Sequence, residues 1–128
     1  MKTGGYRTFF VVAAVYDMVL GAAFFFLYGP LFSALGIALP NNISYIHLTA
    51  AFVFVQGLGY WFVAQGPLAN RGIVKVGAAY KFAFASLAAY YFLIGQLIHP
   101  VFGLFGFLDF GFLLGFLVFL RDTQPEAA

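Results

Sequence analysis

Cysteine is absent from the chain, tryptophan occurs once, methionine twice, and Lys, Arg, Asp and Glu together make up only 8% of 128 residues. Without cysteine there is no disulfide framework, no thiolate metal site and no dithiol redox pair. So few ionisable groups, netting +2, give no basic footprint for nucleic acid despite a pI near 9.0. A soluble domain carries about 25% charged residues, and a disordered chain combines low hydrophobicity with high net charge. The sequence meets neither condition. What is present is apolar: 64% hydrophobic and 22% aromatic residues, with a mean hydropathy of +0.99. A globule of this size in water has no means of hiding that much apolar surface. The composition is that of an integral membrane protein, and it excludes the soluble enzyme classes.

A helix crosses a hydrocarbon core about 30 Å thick with about 20 apolar residues. Four segments meet that requirement, at about residues 9–28, 45–64, 73–98 and 101–120. The breaks between them carry turn and stop chemistry at Gly29-Pro30, Pro40-Asn41-Asn42, Gly66-Pro67 and His99-Pro100. The first segment is longer than a signal-peptide core and no small-residue cleavage pattern follows it, so it reads as a true span. Residues 31–39 are apolar but too short to cross, and they lie between Pro30 and Pro40. They are expected as a short interfacial or re-entrant piece. The expectation is an all-α polytopic protein, a single transmembrane domain over 1–128 built as an antiparallel four-transmembrane-helix bundle. Lys2, Arg7, Arg71, Lys75 and Arg121 fall at the amino terminus, in the second connection or at the carboxyl terminus, whereas the connections at 28–44 and 98–101 hold no Lys or Arg. By the positive-inside rule both termini are cytoplasmic.

Ionisable groups inside a span are expensive and mark functional candidates. Counted from the expected span ends at about 1.5 Å per residue, Asp17, Gln56 and Lys81 come out about 12 Å deep and Asp109 about 16 Å. Each span thus contributes one strong polar group to a layer near the bilayer centre. Ala13 and Gly21 flank Asp17 at i±4, and Gly77 and Ala85 flank Lys81 in the same way. Small residues at that spacing mark close helix contact in membranes. Asp17 and Lys81 are therefore expected to face the interior. Lys81 is expected to pair with one of the two carboxylates, Asp17 matching its depth better than Asp109. The other carboxyl would then be neutral and bonded to Gln56 or a tyrosine. A purely structural role in fixing helix register stands beside the functional one, as does a Lys81 that snorkels to the interface.

His47 and His99 both fall near the outer interface, where a metal or haem role competes with that of a solvated interfacial imidazole. Tyr28, Tyr45, Tyr60 and Trp61 lie near span ends, as interfacial belts require. Tyr16 and Tyr80 lie deeper, beside Asp17 and Lys81, and together with the layer they would suit a flat apolar ligand such as a quinone or another lipid. Gly111 and Gly115 form a Gly-x-x-x-Gly on the fourth span, a close-packing face for another helix, a membrane-protein partner or a second copy.

Several stretches together resemble small bacterial four-span inner-membrane proteins of the DoxX-like kind, over most of the chain. They are Tyr16-Asp17 through Gly21, Gln56-Gly57-Leu58-Gly59-Tyr60-Trp61, Arg71-Gly72-Ile73-Val74-Lys75, Ala79-Tyr80-Lys81-Phe82 and Gly106-Phe107-Leu108-Asp109. The resemblance implies a bacterial inner-membrane protein accessory to quinone-linked redox chemistry, and it assigns no catalytic residue. Three functions follow as alternatives. One is a bundle that binds an apolar lipid- or quinone-like ligand through Asp17, Gln56, Lys81, Asp109, Tyr16 and Tyr80. The second is a non-catalytic accessory subunit of a larger membrane complex. The third is an intramembrane enzyme in which Asp17 and Asp109 do acid–base work on a lipid.

Overall fold

Long runs of Ala, Leu, Val and Phe with no proline in their interiors favour helix, and in a bilayer only helices and closed barrels satisfy every backbone polar group. The computed structural model describes residues 3–124 and forms five α-helices. They are α1 Thr3–Phe26, α2 Tyr28–Leu35, α3 Ser44–Gln65, α4 Arg71–Leu93 and α5 Pro100–Asp122, with a 3-10 turn at Leu68–Asn70 ahead of α4. Four stretches are long and apolar enough to cross a membrane: Gly4–Phe26, Ser44–Gln65, Leu68–Leu93 and Pro100–Asp122. Among the described residues there is no strand. The all-α, four-span class read from the sequence is what the structure shows. Lys2 and the end of the polar tail lie outside the described residues.

The helix ends have local causes. Pro30 has no N–H to offer the Phe26 carbonyl four residues back, and a proline ring crowds that turn. The chain accordingly bends after Phe26, and the helical bonding resumes with Leu31 N donating to Leu27 O at 3.0 Å. Gly36, at φ 69°, stops α2 in the left-handed conformation, with Gly36 N and Ile37 N donating to Ser33 O and Phe32 O. Asn42 Oδ1 accepts from Ser44 N at 3.0 Å and opens α3. The short segment between the first two spans is therefore a two-turn helix over Tyr28–Leu35 followed by an irregular stretch, rather than one piece over 31–39.

Two boundaries depart from the sequence expectation. Helix α1 begins at Thr3, six residues before residue 9, because the backbone ladder continues past the apolar run through Tyr6 and Arg7. Helix α4 ends at Leu93 instead of residue 98. Gly95 at φ 73° turns the chain, and Gly95 N and Gln96 N donate to Phe92 O and Tyr91 O. An apolar run and a helix are different things: the first sets where lipid can be, the second ends where a left-handed glycine ends it.

The chain divides into two compact units, Met1–Gln65 and Gly66–Ala128. The first is an antiparallel hairpin of α1 and α3. Their approach is made by glycine: a Cβ on Gly21 would stand 2.7 Å from Ala50 O and Phe54 N, and one on Gly57 would stand 2.7 Å from Met18 N and 2.8 Å from Ala14 O. The second is an antiparallel hairpin of α4 and α5, joined at one end by Arg71 and in the middle by Lys81. Arg71 Nη1 donates to Leu120 O at 3.2 Å and to Thr123 Oγ1 at 2.8 Å, and so satisfies one carbonyl left open at the α5 C-terminus. In both units many large apolar side chains point outward, Val19, Leu48, Phe92 and Phe107 being more than half exposed, while Phe10, Tyr60, Phe116 and Phe119 are buried. Ala13, Ala14, Ala50, Ala78 and Ala88 are buried. This inversion is expected where lipid is the solvent and close backbone packing, not water exclusion, holds helices together.

Candidate site around Lys81 and Asp109

Lys81 sits ten residues into α4 and Asp109 nine residues into α5. The antiparallel pairing sets them opposite one another, with Lys81 Nζ donating to Asp109 Oδ1 at 2.8 Å. Their side chains are 0% and 6% exposed. The ammonium also lies 5.5 Å from the Tyr80 ring centre and 5.3 Å from that of Phe112. Aromatic faces at that range attract a cation and take the place of part of its lost hydration. One turn away, a Cβ on Gly106 would come within 2.8 Å of Ala88 Cβ. The two helices therefore touch beside the ion pair, which allows short Asp109 to meet Lys81 without reaching.

Span-depth counting favours Asp17 as the partner of Lys81; Asp109, the poorer match on that count, makes the 2.8 Å bond. Gly95 and the His99-Pro100 start of α5 set the register of the hairpin that brings Asp109 to Lys81. Asp17 is 1% exposed on α1, on a stripe with buried Ala13 and Gly21. The Tyr16 hydroxyl is buried, and Gln56 and Tyr80 are half-buried.

The two histidines take structural positions. His47 stacks on Phe25 with ring centres 4.5 Å apart and meets Tyr28 edge-on at 5.3 Å. His99 caps α5: its Nδ1 accepts from Val101 N at 3.0 Å, which requires that nitrogen to be unprotonated, and Pro100 follows at the first helical position. Among the described residues no group of three or more His, Asp or Glu is placed to hold a metal ion.

A feature that sequence reasoning missed lies along the same hairpin. Toward the 94–99 connection, α4 and α5 leave an outward-opening groove of about 610 Å³. Its lining runs from Phe82 to Leu93 on α4 and from Pro100 to Phe110 on α5. Ala85, Ala89, Gly103 and Gly106 keep it deep, and Phe92 and Phe107 help to wall it. Ser86 is its one hydroxyl residue, and its Oγ donates to Ala83 O at 3.1 Å. The small residues carry the signal for this groove in the sequence. Ala85 reads there as a close-contact position, and its Cα lies 3.8 Å from where a Cβ on Gly106 would stand, while Ala89 and Gly103 line the open groove. Comparison with known protein families, with curated proteins and with solved structures yields no match.

Proposed function

We propose that this small integral membrane protein binds an apolar lipid- or quinone-like ligand, with its hydrocarbon in the α4–α5 groove and its polar end toward Lys81 and Asp109. The observation that carries the reading is an apolar groove on the same two helices that hold the buried ion pair. Phe82 and Phe110, which line the groove, are the sequence neighbours of Lys81 and Asp109, and Ala85 and Gly106 lie about one turn from them. Clefts of about 300–1,000 Å³, mostly apolar with a few polar groups at one place, are the usual form of small-molecule sites. The same reading sets the chain in a bacterial inner membrane with both termini cytoplasmic, in line with its DoxX-like resemblance and with the gathering of Arg71, Lys75 and Arg121 at one end of the second hairpin.

Native mass spectrometry of protein gently extracted from its own membrane, with the ejected small molecules identified, tests it. The expected result is a reproducible apolar ligand at one per chain that is lost on Ala89→Phe, which fills the groove from an exposed wall position. Only non-stoichiometric bulk lipid, unchanged by that substitution, would overturn the reading. The accessory-subunit alternative has its own support. Gly111 is exposed on α5 with nothing within 4 Å of where its Cβ would be, as an unoccupied close-packing face would be. A stoichiometric protein partner in the same spectrum would favour it.

A further inference from the structure

We infer that Arg71 and Lys75 form a phosphate site for the headgroup of an anionic phospholipid, at the end of the second hairpin where α4 begins. The site is separate from the groove, whose lining on α4 starts at Phe82. Arg71 is half-buried, and one nitrogen of its guanidinium is already engaged. Its Nη1 donates to Leu120 O at 3.2 Å and to Thr123 Oγ1 at 2.8 Å, and the buried Thr123 hydroxyl donates on to Phe119 O at 2.7 Å. The last turn of α5 thereby holds the guanidinium in place. Its Nε and Nη2 make no hydrogen bond to the described residues. Those two nitrogens form the planar fork that matches two oxygens of one phosphate. A fork held in advance loses less side-chain entropy when it binds.

Charge supplies the second argument. Lys75 is exposed one turn along α4 from Arg71, and residues at that spacing share a helix face with Cβ atoms about 5–6 Å apart. One phosphate can therefore meet both. The chain has only four acidic side chains. Asp17 and Asp109 are buried within spans, Asp122 accepts from Arg121 Nε at 3.1 Å, and Glu126 lies outside the described residues. Arg71 and Lys75 thus have no carboxylate partner among the described residues. Location favours a lipid over a dissolved anion. Both cations lie in the first turns of the Leu68–Leu93 span, at headgroup level. Val76, Ala79 and Phe82, deeper in the span, are exposed and give acyl chains an apolar surface below the head. Sidedness needs only a positive charge near a span end. An arginine clamped at one nitrogen with its fork open is more than sidedness needs.

The probes are phosphatidylglycerol and phosphatidylcholine, one or the other brominated in its acyl chains, mixed in nanodiscs that hold the full chain. Trp61→Phe removes the one native tryptophan. Val76→Trp then places a reporter beside the site and Ile98→Trp one at the other end of the hairpin, both at exposed positions. Quenching at position 76 should show phosphatidylglycerol preferred by about tenfold, and at position 98 by no more than about twofold. Lys75→Gln should lower the preference about fivefold, the worth of one cation near an anionic surface. Arg71→Lys keeps the charge and loses the fork, and should lower it by about threefold or more. Arg121→Gln removes an equal charge that Asp122 already offsets, and should change it by less than about twofold. Should Arg71→Lys fail to fold, the contrast between Lys75→Gln and Arg121→Gln still decides. Equal preference at the two reporters, or a folded Arg71→Lys that keeps the full preference, would overturn the inference in favour of diffuse surface charge. Loss of the preference on adding excess soluble glycerol phosphate would overturn it in favour of a dissolved anion. None of these outcomes bears on the groove.

Discussion

At Lys81 two energies oppose each other. Removing an ammonium and a carboxylate from water is costly, and their attraction at 2.8 Å offsets that cost only while both are present. Losing one partner leaves a buried charge alone, which typically costs about 3–5 kcal/mol, whereas replacing both with apolar groups of similar size is often close to neutral. Lys81→Met or Asp109→Leu alone is therefore expected to lower the unfolding free energy by about 3–5 kcal/mol, and the double variant to recover most of that loss. Reversible denaturation in mild detergent, read as a double-mutant cycle, measures the coupling directly. A double variant as unstable as the sum of the singles would mean that the two side chains do not act as a pair. The same cycle separates stability from binding: a pair kept for ligand recognition leaves a stable double variant that no longer holds its ligand.

At the scale of the helix, stability in lipid depends on how near two backbones come, and here glycine decides it. Gly57→Ala would push a methyl to 2.7 Å from Met18 N, a backbone atom that cannot rotate aside, and Gly21→Ala would do the same against Ala50 O. Each is expected to destabilise the α1–α3 hairpin by about 1–3 kcal/mol, as overpacking does. Gly111→Ala, with open space around it, should be neutral or stabilising by up to about 1 kcal/mol through helix propensity. Thermal unfolding of the three variants in one detergent ranks them, and a Gly111→Ala as damaging as Gly57→Ala would refute the packing argument. The spacing of small residues around Asp17 points to close contact, and Gly21 makes that contact against Ala50 and Phe54. Helix existence and the buried charges were legible for the same reason: in a chain so apolar, every exception stands out. Register was not legible. It depends on where Gly95 and His99 end one helix and begin the next, and a glycine in an apolar run carries no mark that says its φ is positive. The groove stayed hidden because alanine and glycine have the same signature whether a neighbouring helix touches them, as at Gly106, or leaves space, as at Gly103.

For the molecule as a whole, the sidedness of the four spans rests on where lysine and arginine lie. Arg71 and Lys75 open α4, and Arg121 closes α5, so apart from the buried Lys81 the second hairpin carries its cations at one end. Its other end, from Gly95 to Pro100, has none, and neither does the stretch from Tyr28 to Ser44 between the first two spans. Cations near span ends resist translocation and set orientation, and the topology proposed above, with Arg71 cytoplasmic and the 28–44 stretch outside, follows from that rule. Absence of cysteine makes this directly measurable, because any introduced thiol is the only one in the chain. Asn41→Cys and Gln96→Cys are expected to react with a membrane-impermeant maleimide in intact cells, whereas Ala69→Cys and Gln124→Cys should react only after permeabilisation. All four positions are exposed in the structure, so a silent site reports sidedness and not burial. The opposite labelling pattern would reverse the topology, and with it the leaflet from which a ligand enters the α4–α5 groove. Moving the charges tests the cause: Arg71→Gln with Lys75→Gln, combined with Asn41→Arg and Asn42→Arg, should weaken or invert the labelling pattern if cation placement, rather than the hydrophobic lengths of the spans, sets it.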